Sequence, residues 1–301
     1  MKYAYIDIGT NSIRLLIVDD EIELVQCLKE VITTRIGAGV DATKILSEKG
    51  MADTISGLLT FKGILDKEGV NTCKVIATSA VRDATNRKQF VDRVSQETGF
   101  EVDVISGEEE ARLGFLGLID NRRPEENVLA IDIGGGSTEL ILGNKKQIER
   151  GVSIDIGAVR LTDKFVTTDP IVQDEIDKLI SFIDHKLDEY LSEFVLDGVD
   201  CVIGIGGTIS TMAAMKQNMT IYQRSKIHNS TVNVEDLYAI KNDLVTKTIE
   251  ERKSIKGLQA KRADIILSGE LILERIMMKI GKCEIIISEF DNLEGAHFNN
   301  S

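Results

Sequence analysis

Two stretches of the chain repeat one pattern of apolar and polar positions. AYIDIGTNSIRLLIVD (Ala4 to Asp19) and LAIDIGGGSTELILGN (Leu129 to Asn144) lie 125 residues apart, with Asp7 falling on Asp132. Each reads as an apolar strand ending in a carboxylate and a glycine, a small polar turn, and a returning apolar strand. That is the pattern of a β-hairpin whose tip offers backbone N–H groups and hydroxyls. The duplication predicts two similar α/β domains facing one another. Around the hairpins, buried strands are predicted at Lys74 to Ala80, Glu101 to Gly107 and Cys201 to Gly207, with helical periodicity between them. The clearest helix runs from Val172 to Phe194, where Ile176, Leu179, Ile180, Ile183, Leu187, Tyr190, Leu191 and Phe194 recur at three- and four-residue spacing. The most polar interruption, Asn121 to Asn127 with Pro124 inside it, precedes the second hairpin and sets the domain boundary, giving domains 1–124 and 125–301.

Composition narrows the function. The chain has 301 residues, 36 basic and 49 acidic, for a formal net charge of −13. Such a surface repels a phosphate backbone or an anionic bilayer, so nucleic acid and membranes are not expected as partners. Cys27, Cys73, Cys201 and Cys283 form no CxxC pair and read as buried free thiols of a reducing cytoplasm. The N-terminus MKYAYIDIG has no apolar leader, and no run of 18 apolar residues occurs, so neither export nor a membrane span is expected.

The chemistry concentrates in the turns. Asn11, Ser12 and Arg14 follow Asp7 in the first hairpin, and Gly134, Gly135, Gly136, Ser137 and Glu139 follow Asp132 in the second. Glycines allow close approach of the backbone to an anion and turn successive N–H groups toward it. Asp132 and Glu139 suit a hard divalent cation such as Mg²⁺, which uses one or two carboxylates together with water and substrate phosphates. Simple hairpin turns with positive-φ glycines remain the other reading of each loop. Ser79 and Arg82 stand where a strand hands over to a helix, and a guanidinium bonds two phosphate oxygens at once. Gly206, Gly207 and Thr208 form a third strand-to-glycine-to-helix turn. In VISGEEEARLGFLG (Val104 to Gly117), Ser106 and Glu109 fit a capping box. Glu110 then falls on one stripe with Leu113, Gly114 and Gly117, facing inward as a candidate general base, although helix capping alone accounts for the glutamates. The three histidines are scattered and no GxxxxGK[ST] loop exists, which excludes a histidine-based zinc site and a P-loop NTPase.

DIGTNSIRL, ATSAVRDATN, ISGEEEARL, DIGGGSTEL, GAVRLTDKF, GIGGTISTM and GLQAKRADIILSGELIL, in this order, resemble the exopolyphosphatase/guanosine pentaphosphate phosphatase (Ppx/GppA) family. The resemblance runs from about residue 3 to residue 298. It implies two ribonuclease-H-like domains of the actin, Hsp70 and sugar-kinase group, with an active-site cleft between them. It also implies hydrolysis of terminal phosphoanhydride bonds of polyphosphate or of the alarmone pppGpp, with Mg²⁺, and is compatible with a homodimer. Residue by residue it places the catalytic glutamate at Glu110 and the metal carboxylates at Asp132 and Glu139. Asn11, Ser12, Arg14, Ser79, Arg82, Gly134, Gly135, Gly136, Ser137, Gly206, Gly207 and Thr208 become phosphate-binding positions.

Two departures stand out. SEFDNLEG (Ser288 to Gly295) puts Leu293 where the family often has an arginine, so one phosphate-steering cation is expected to be missing. Lys256 stands where a proline is frequent, as a replacement charge. Without the extra C-terminal domains of longer relatives, short polyphosphates or pppGpp are the expected substrates. With no broad basic track, the hold on a long chain is expected to be weak and salt-sensitive. The mechanism implied is direct hydrolysis by a water that Glu110 deprotonates, with no covalent intermediate. A small-molecule kinase of the same superfamily and a ppGpp-binding sensor without turnover are the alternatives.

Overall fold

A computed structural model of the chain describes residues 1–119, 126–144, 147–192, 194, 196 and 198–299. The chain divides into two compact units, Met1–Gly117 with Asn292–Ser301, and Leu118–Asp291. The boundary expected at residue 124 lies outside the described residues, and the last ten residues, expected in the second domain, group with the first unit.

The first unit carries a five-stranded sheet in the order β3-β2-β1-β4-β5. Its strands are β1 (Lys2–Ile8), β2 (Ser12–Asp19), β3 (Leu28–Thr33), β4 (Cys73–Ala77) and β5 (Val102–Val104). β1, β2 and β3 pair antiparallel, whereas β1, β4 and β5 run parallel. The helices are α1 (Val40–Thr43), α2 (Glu48–Glu68), α3 (Ser79–Asp83), α4 (Arg87–Thr98) and α5 (Gly107–Leu118). Strand alternation divides the side chains between two faces. Ala4, Ile6, Ile8, Ile13 and Leu15 pack with Leu58, Phe61 and Phe90 of α2 and α4. Tyr5, Leu16 and Val18 pack with Ile76, Ile105 and Leu113 of α5. Asp7 and Arg14 share the second face by parity, and so point to the side on which α5 lies.

The second unit repeats this plan in a six-stranded sheet, β10-β11-β9-β6-β7-β8. Its strands are β6 (Val128–Ile133), β7 (Thr138–Gly143), β8 (Ile148–Ile154), β9 (Cys201–Ile205), β10 (Thr231–Asn233) and β11 (Glu284–Ile287). β6, β7 and β8 pair antiparallel and β9 runs parallel to β6, as β4 does to β1. The helices are α6 (Ala158–Phe165), α7 (Gln173–Leu191), α8 (Gly206–Lys216), α9 (Arg224–Ile227), α10 (Val234–Val245), α11 (Ile249–Arg252) and α12 (Ile266–Ile280). The long helix expected from Val172 to Phe194 is α7, with Val172 as its N-cap; Ile176, Leu179, Ile183 and Leu187 face the core. The last helix, α13 (Asn292–Phe298), belongs to the first unit. The two ribonuclease-H-like sheets are those the resemblance implies, and the whole is α/β.

Of the four cysteines, all free, Cys27 is buried, Cys73 and Cys201 are half-buried and Cys283 is exposed. Among the described residues no helix is long and apolar enough to cross a membrane.

Candidate active site

In both units the candidate residues gather where parallel strands end, the usual position for ligand loops in α/β sheets. In the first unit the turn between β1 and β2 is closed by Gly9 N–H donating to the Ser12 carbonyl at 3.1 Å. The segment after β3 ties down the carbonyl side of that turn. Thr34 and Arg35 donate to the Asn11 carbonyl at 3.1 and 2.9 Å, and Gly37 donates to that of Thr10 at 3.0 Å. The Asn11 Oδ1 is buried with no hydrogen-bond partner among the described residues. Ser79 opens α3, buried, and its hydroxyl bonds that of Thr10 at 2.9 Å.

The two arginines expected to hold phosphate hold carboxylates here. Arg14 faces Asp7 across the β1–β2 pair and donates Nε to Asp7 Oδ2 at 2.9 Å, with Nη2 on the same oxygen. Arg82, in the last turn of α3, donates Nη1 to Glu110 Oε2 at 2.9 Å and to the Ile105 carbonyl at 3.3 Å. Glu110 sits in the first turn of α5. Ser106 caps that helix, its hydroxyl accepting from Glu109 N–H at 3.1 Å and its carbonyl from Glu110 N–H at 2.9 Å. The expected reciprocal half of the capping box is not made in this way: the Glu109 carboxylate bonds Arg112 twice at 2.8 Å. Glu110 points inward and is only 7% exposed. Burial pushes its ionisation up to about 7, against the opposing pull of Arg82; Asp7 pushes the same way as burial and Arg14 opposes it.

The second unit presents a similar hairpin with different chemistry. Gly134 N–H donates to the Ser137 carbonyl at 3.0 Å, and the turn's carbonyls accept from α6: Gly134 from Ala158 at 3.0 Å, and Gly135 from Val159 and Arg160 at 2.9 and 3.0 Å. The Arg160 Nε bonds the Gly136 carbonyl at 2.6 Å. A Cβ on Gly157 would lie 2.5 Å from the Gly135 backbone, so the approach of α6 to this turn requires glycine. Asp132 and Glu139 are cross-strand partners and both are buried. Ser153 donates to Glu139 Oε1 at 2.6 Å. Asp132 abuts Gly206, where a Cβ would come within 2.3 Å of its Oδ1 and φ is +86°. Gly206, Gly207 and Thr208 open α8, so this carboxylate and the positive end of a helix meet. The Arg262 guanidinium lies over Gly207, within 2.0 Å of the place a Cβ would occupy.

The donor set at Asp132 and Glu139 fits a hard divalent cation: two carboxylates on adjacent strands of one hairpin, with oxygen ligands only. Among the described residues no cluster of three or more His, Cys, Asp and Glu side chains forms, so a cation held there would complete its shell with water and phosphate oxygens.

Sequence reasoning missed Arg160 and Arg262 as neighbours of these loops. Arg160 and Arg262 both fall in quoted motifs, which was the available signal. Leu293 is fully buried in the apolar cluster of Tyr5, Ile76, Ile105 and Leu113, so this position packs the core. Lys256 lines a cavity of about 390 Å³ with Met219, Tyr222 and Leu258. The neighbouring Gly257 lies against the backbone of Ala214 and Met215, so Lys256 stands by the C-terminal part of α8, two turns from Gly206.

Residues 15–300 match the model of the Ppx/GppA phosphatase family. Over 98% of its length the chain is 32% identical to exopolyphosphatase 2 of Mycobacterium tuberculosis, of which it covers 97%. It is 37% identical to a bifunctional 3-dehydroquinate synthase/phosphatase of Fusobacterium nucleatum over 97% of its own length, but spans 46% of that protein. The crystal structure of an exopolyphosphatase from Cytophaga hutchinsonii superimposes with a TM-score of 0.92 at 30% identity, covering 100% of this chain and 97% of that one. The motifs, the paired sheets and these likenesses agree, and the chain belongs to the Ppx/GppA phosphatase family.

Proposed function

We propose that the chain is a phosphoanhydride hydrolase that releases terminal orthophosphate from short inorganic polyphosphates or converts pppGpp to ppGpp. The observation that carries this reading is Glu110: a carboxylate on a capped helix, turned inward, oriented by Arg82 and titrating near neutrality. A general base works best when its ionisation lies close to the operating pH, because it is then both sufficiently ionised and sufficiently basic. Glu110 accepts the proton of a water aligned with the terminal phosphorus, and the P–O bond to the leaving chain breaks as the new P–O bond forms. Arg82 fixes the carboxylate oxygen that does not take the proton.

The second unit carries phosphate-binding loops of its own. With the carbonyl side of the Gly134–Ser137 turn tied to α6, its N–H side is the edge that cradles phosphate oxygens, and the N-terminus of α8 at Gly206, Gly207 and Thr208 adds a second N–H cluster. Asp132 and Glu139 would hold Mg²⁺, which when bound supplies positive charge to the phosphoryl oxygens. Asn11, Ser12 and Ser79 contribute the polar edge of the first hairpin.

The test is phosphate release from short-chain polyphosphate, long-chain polyphosphate and pppGpp, assayed side by side with Mg²⁺. Release from at least one of the first or third, with long chains hydrolysed less well and more weakly as salt rises, is the expected result. No release from any of the three removes the reading.

A further inference from the structure

The helix packed against α5, which carries Glu110, comes from the other end of the chain. α13 packs onto the face of the first sheet that also carries Tyr5, Asp7 and Arg14. Leu293 is fully buried there against Tyr5, Leu16, Ile76, Ile105 and Leu113. Glu294 is fully buried too, both of its oxygens held by Lys29 Nζ of β3 at 2.9 and 3.0 Å, and that lysine is itself only 8% exposed. Asn299 accepts from Arg112 of α5 at 2.9 Å. His297 Nδ1 lies 3.4 Å from the Tyr5 hydroxyl.

The tightest contact is at Gly295. A Cβ there would lie 1.7 Å from the Leu113 carbonyl oxygen and 3.1 Å from the Gly117 nitrogen, so the two helices touch backbone to backbone. Glu110, Leu113 and Gly117 run along one side of α5, and Glu110 is one turn from the contact. Because Leu293 and the Lys29–Glu294 pair pin α13 to the sheet, any side chain at residue 295 has to be accommodated mainly by α5.

We propose that Gly295 is a positioning residue: α13, seated by the buried Lys29–Glu294 pair, sets the depth of α5 and so the placement of Glu110 against Arg82. This deepens the reading of Glu110 as the base and rests on it. A displacement of α5 by even part of an ångström lengthens the Arg82 bond and admits water to the carboxylate. The groups that face Glu110 are Arg82 from α3 and Asp7 and Arg14 from the first hairpin, none of which is altered by substitution at residue 295.

The test uses the full chain and follows Glu110 by carboxyl ¹³C NMR, assigned with Glu110→Gln, in wild type and Gly295→Ala. The expected result in the folded variant is a shift of Glu110's ionisation by at least about half a pH unit, downward because burial is the largest influence on it. The acid limb of kcat moves with it while KM stays within about twofold. The double substitution Lys29→Met/Glu294→Gln loosens α13 without a clash and gives the same readout if Gly295→Ala does not fold. A folded variant whose Glu110 titrates as in wild type, with activity lowered only in proportion to the folded fraction, overturns the proposal. If instead Glu110→Gln keeps wild-type turnover, it is the reading of Glu110 as the base that fails, and the NMR titration still decides whether α13 governs its ionisation.

Discussion

Hairpins β1–β2 and β6–β7 share their strand pairing and turn hydrogen bond, yet Asp7 stands opposite Arg14 and Asp132 opposite Glu139. In the first hairpin the aspartate meets its counter-charge on the neighbouring strand. In the second, two buried carboxylates share one edge, and their charge has to be balanced by groups from outside the hairpin or by a cation. One backbone plan thus serves two purposes, decided by a single register position. The same surplus recurs deeper in the second unit, where Glu270 and Glu274 of α12 are both buried and Lys241 pairs with Glu274.

The largest effect should come from Glu110, the residue we propose as the base. Glu110→Gln is expected to lower kcat by roughly 10²- to 10⁴-fold with little change in KM, measured as phosphate release. Because the base form is the ionised one, wild-type kcat should rise with pH through about 7. Near-normal turnover by folded Glu110→Gln would falsify its role.

Next comes the balanced hairpin. Arg14→Leu leaves the Asp7 carboxylate buried without the partner seen here, and is expected to cost about 3 kcal/mol in urea unfolding. It should also move the acid limb of kcat upward, since Arg14 favours ionised Glu110. A loss well under 1 kcal/mol would mean that the pair is no more than a surface contact.

The unbalanced hairpin is tested by metal dependence. Glu139→Gln should raise the Mg²⁺ concentration for half-maximal activity by on the order of 10- to 100-fold. Glu139→Arg, which copies the first hairpin's chemistry, should abolish saturable Mg²⁺ dependence; an unchanged Mg²⁺ curve in both variants would detach the metal from this edge.

The last test leaves the hairpins for Glu270, whose carboxyl is driven well above the usual range by burial and by Glu274. Its folded form holds a proton that the unfolded chain releases above about pH 4.5, so it stabilises at low pH, and that contribution drains away as pH rises toward the folded value. The slope is up to ~1.4 kcal/mol per pH unit for one proton. Glu270→Gln should flatten the fall in urea midpoint between pH 5 and pH 8, and an identical slope in both proteins would place the proton elsewhere.

Much of this was legible in the chain because local patterns produced it. The IDIG repeat marked both hairpins, and short apolar runs marked β4, β5 and β9, although KVIATSA is strand only to Ala77 before Ser79 begins α3. Inward placement of Glu110 followed from Ser106 as the cap and helical spacing. What stayed hidden depends on contacts far apart in sequence. Nothing near Arg82 announces that its guanidinium meets Glu110, and nothing near Gly207 announces Arg262. The burial of Leu293 is decided by Tyr5, Ile76 and Leu113, which local periodicity around residue 293 does not reveal.

The return of α13 to the first unit also sets an order of events during synthesis. The hairpin, the helices and Glu110 all leave the ribosome early, but the apolar cluster that receives Leu293 stays open until the whole segment Leu118–Asp291 has followed. At roughly 5–20 residues per second the nascent first unit waits on the order of ten seconds or longer with Tyr5, Leu16 and Val18 incompletely covered. During that interval part of this apolar cluster stays open to water, and α5 with Glu110 lacks the helix that later packs against it.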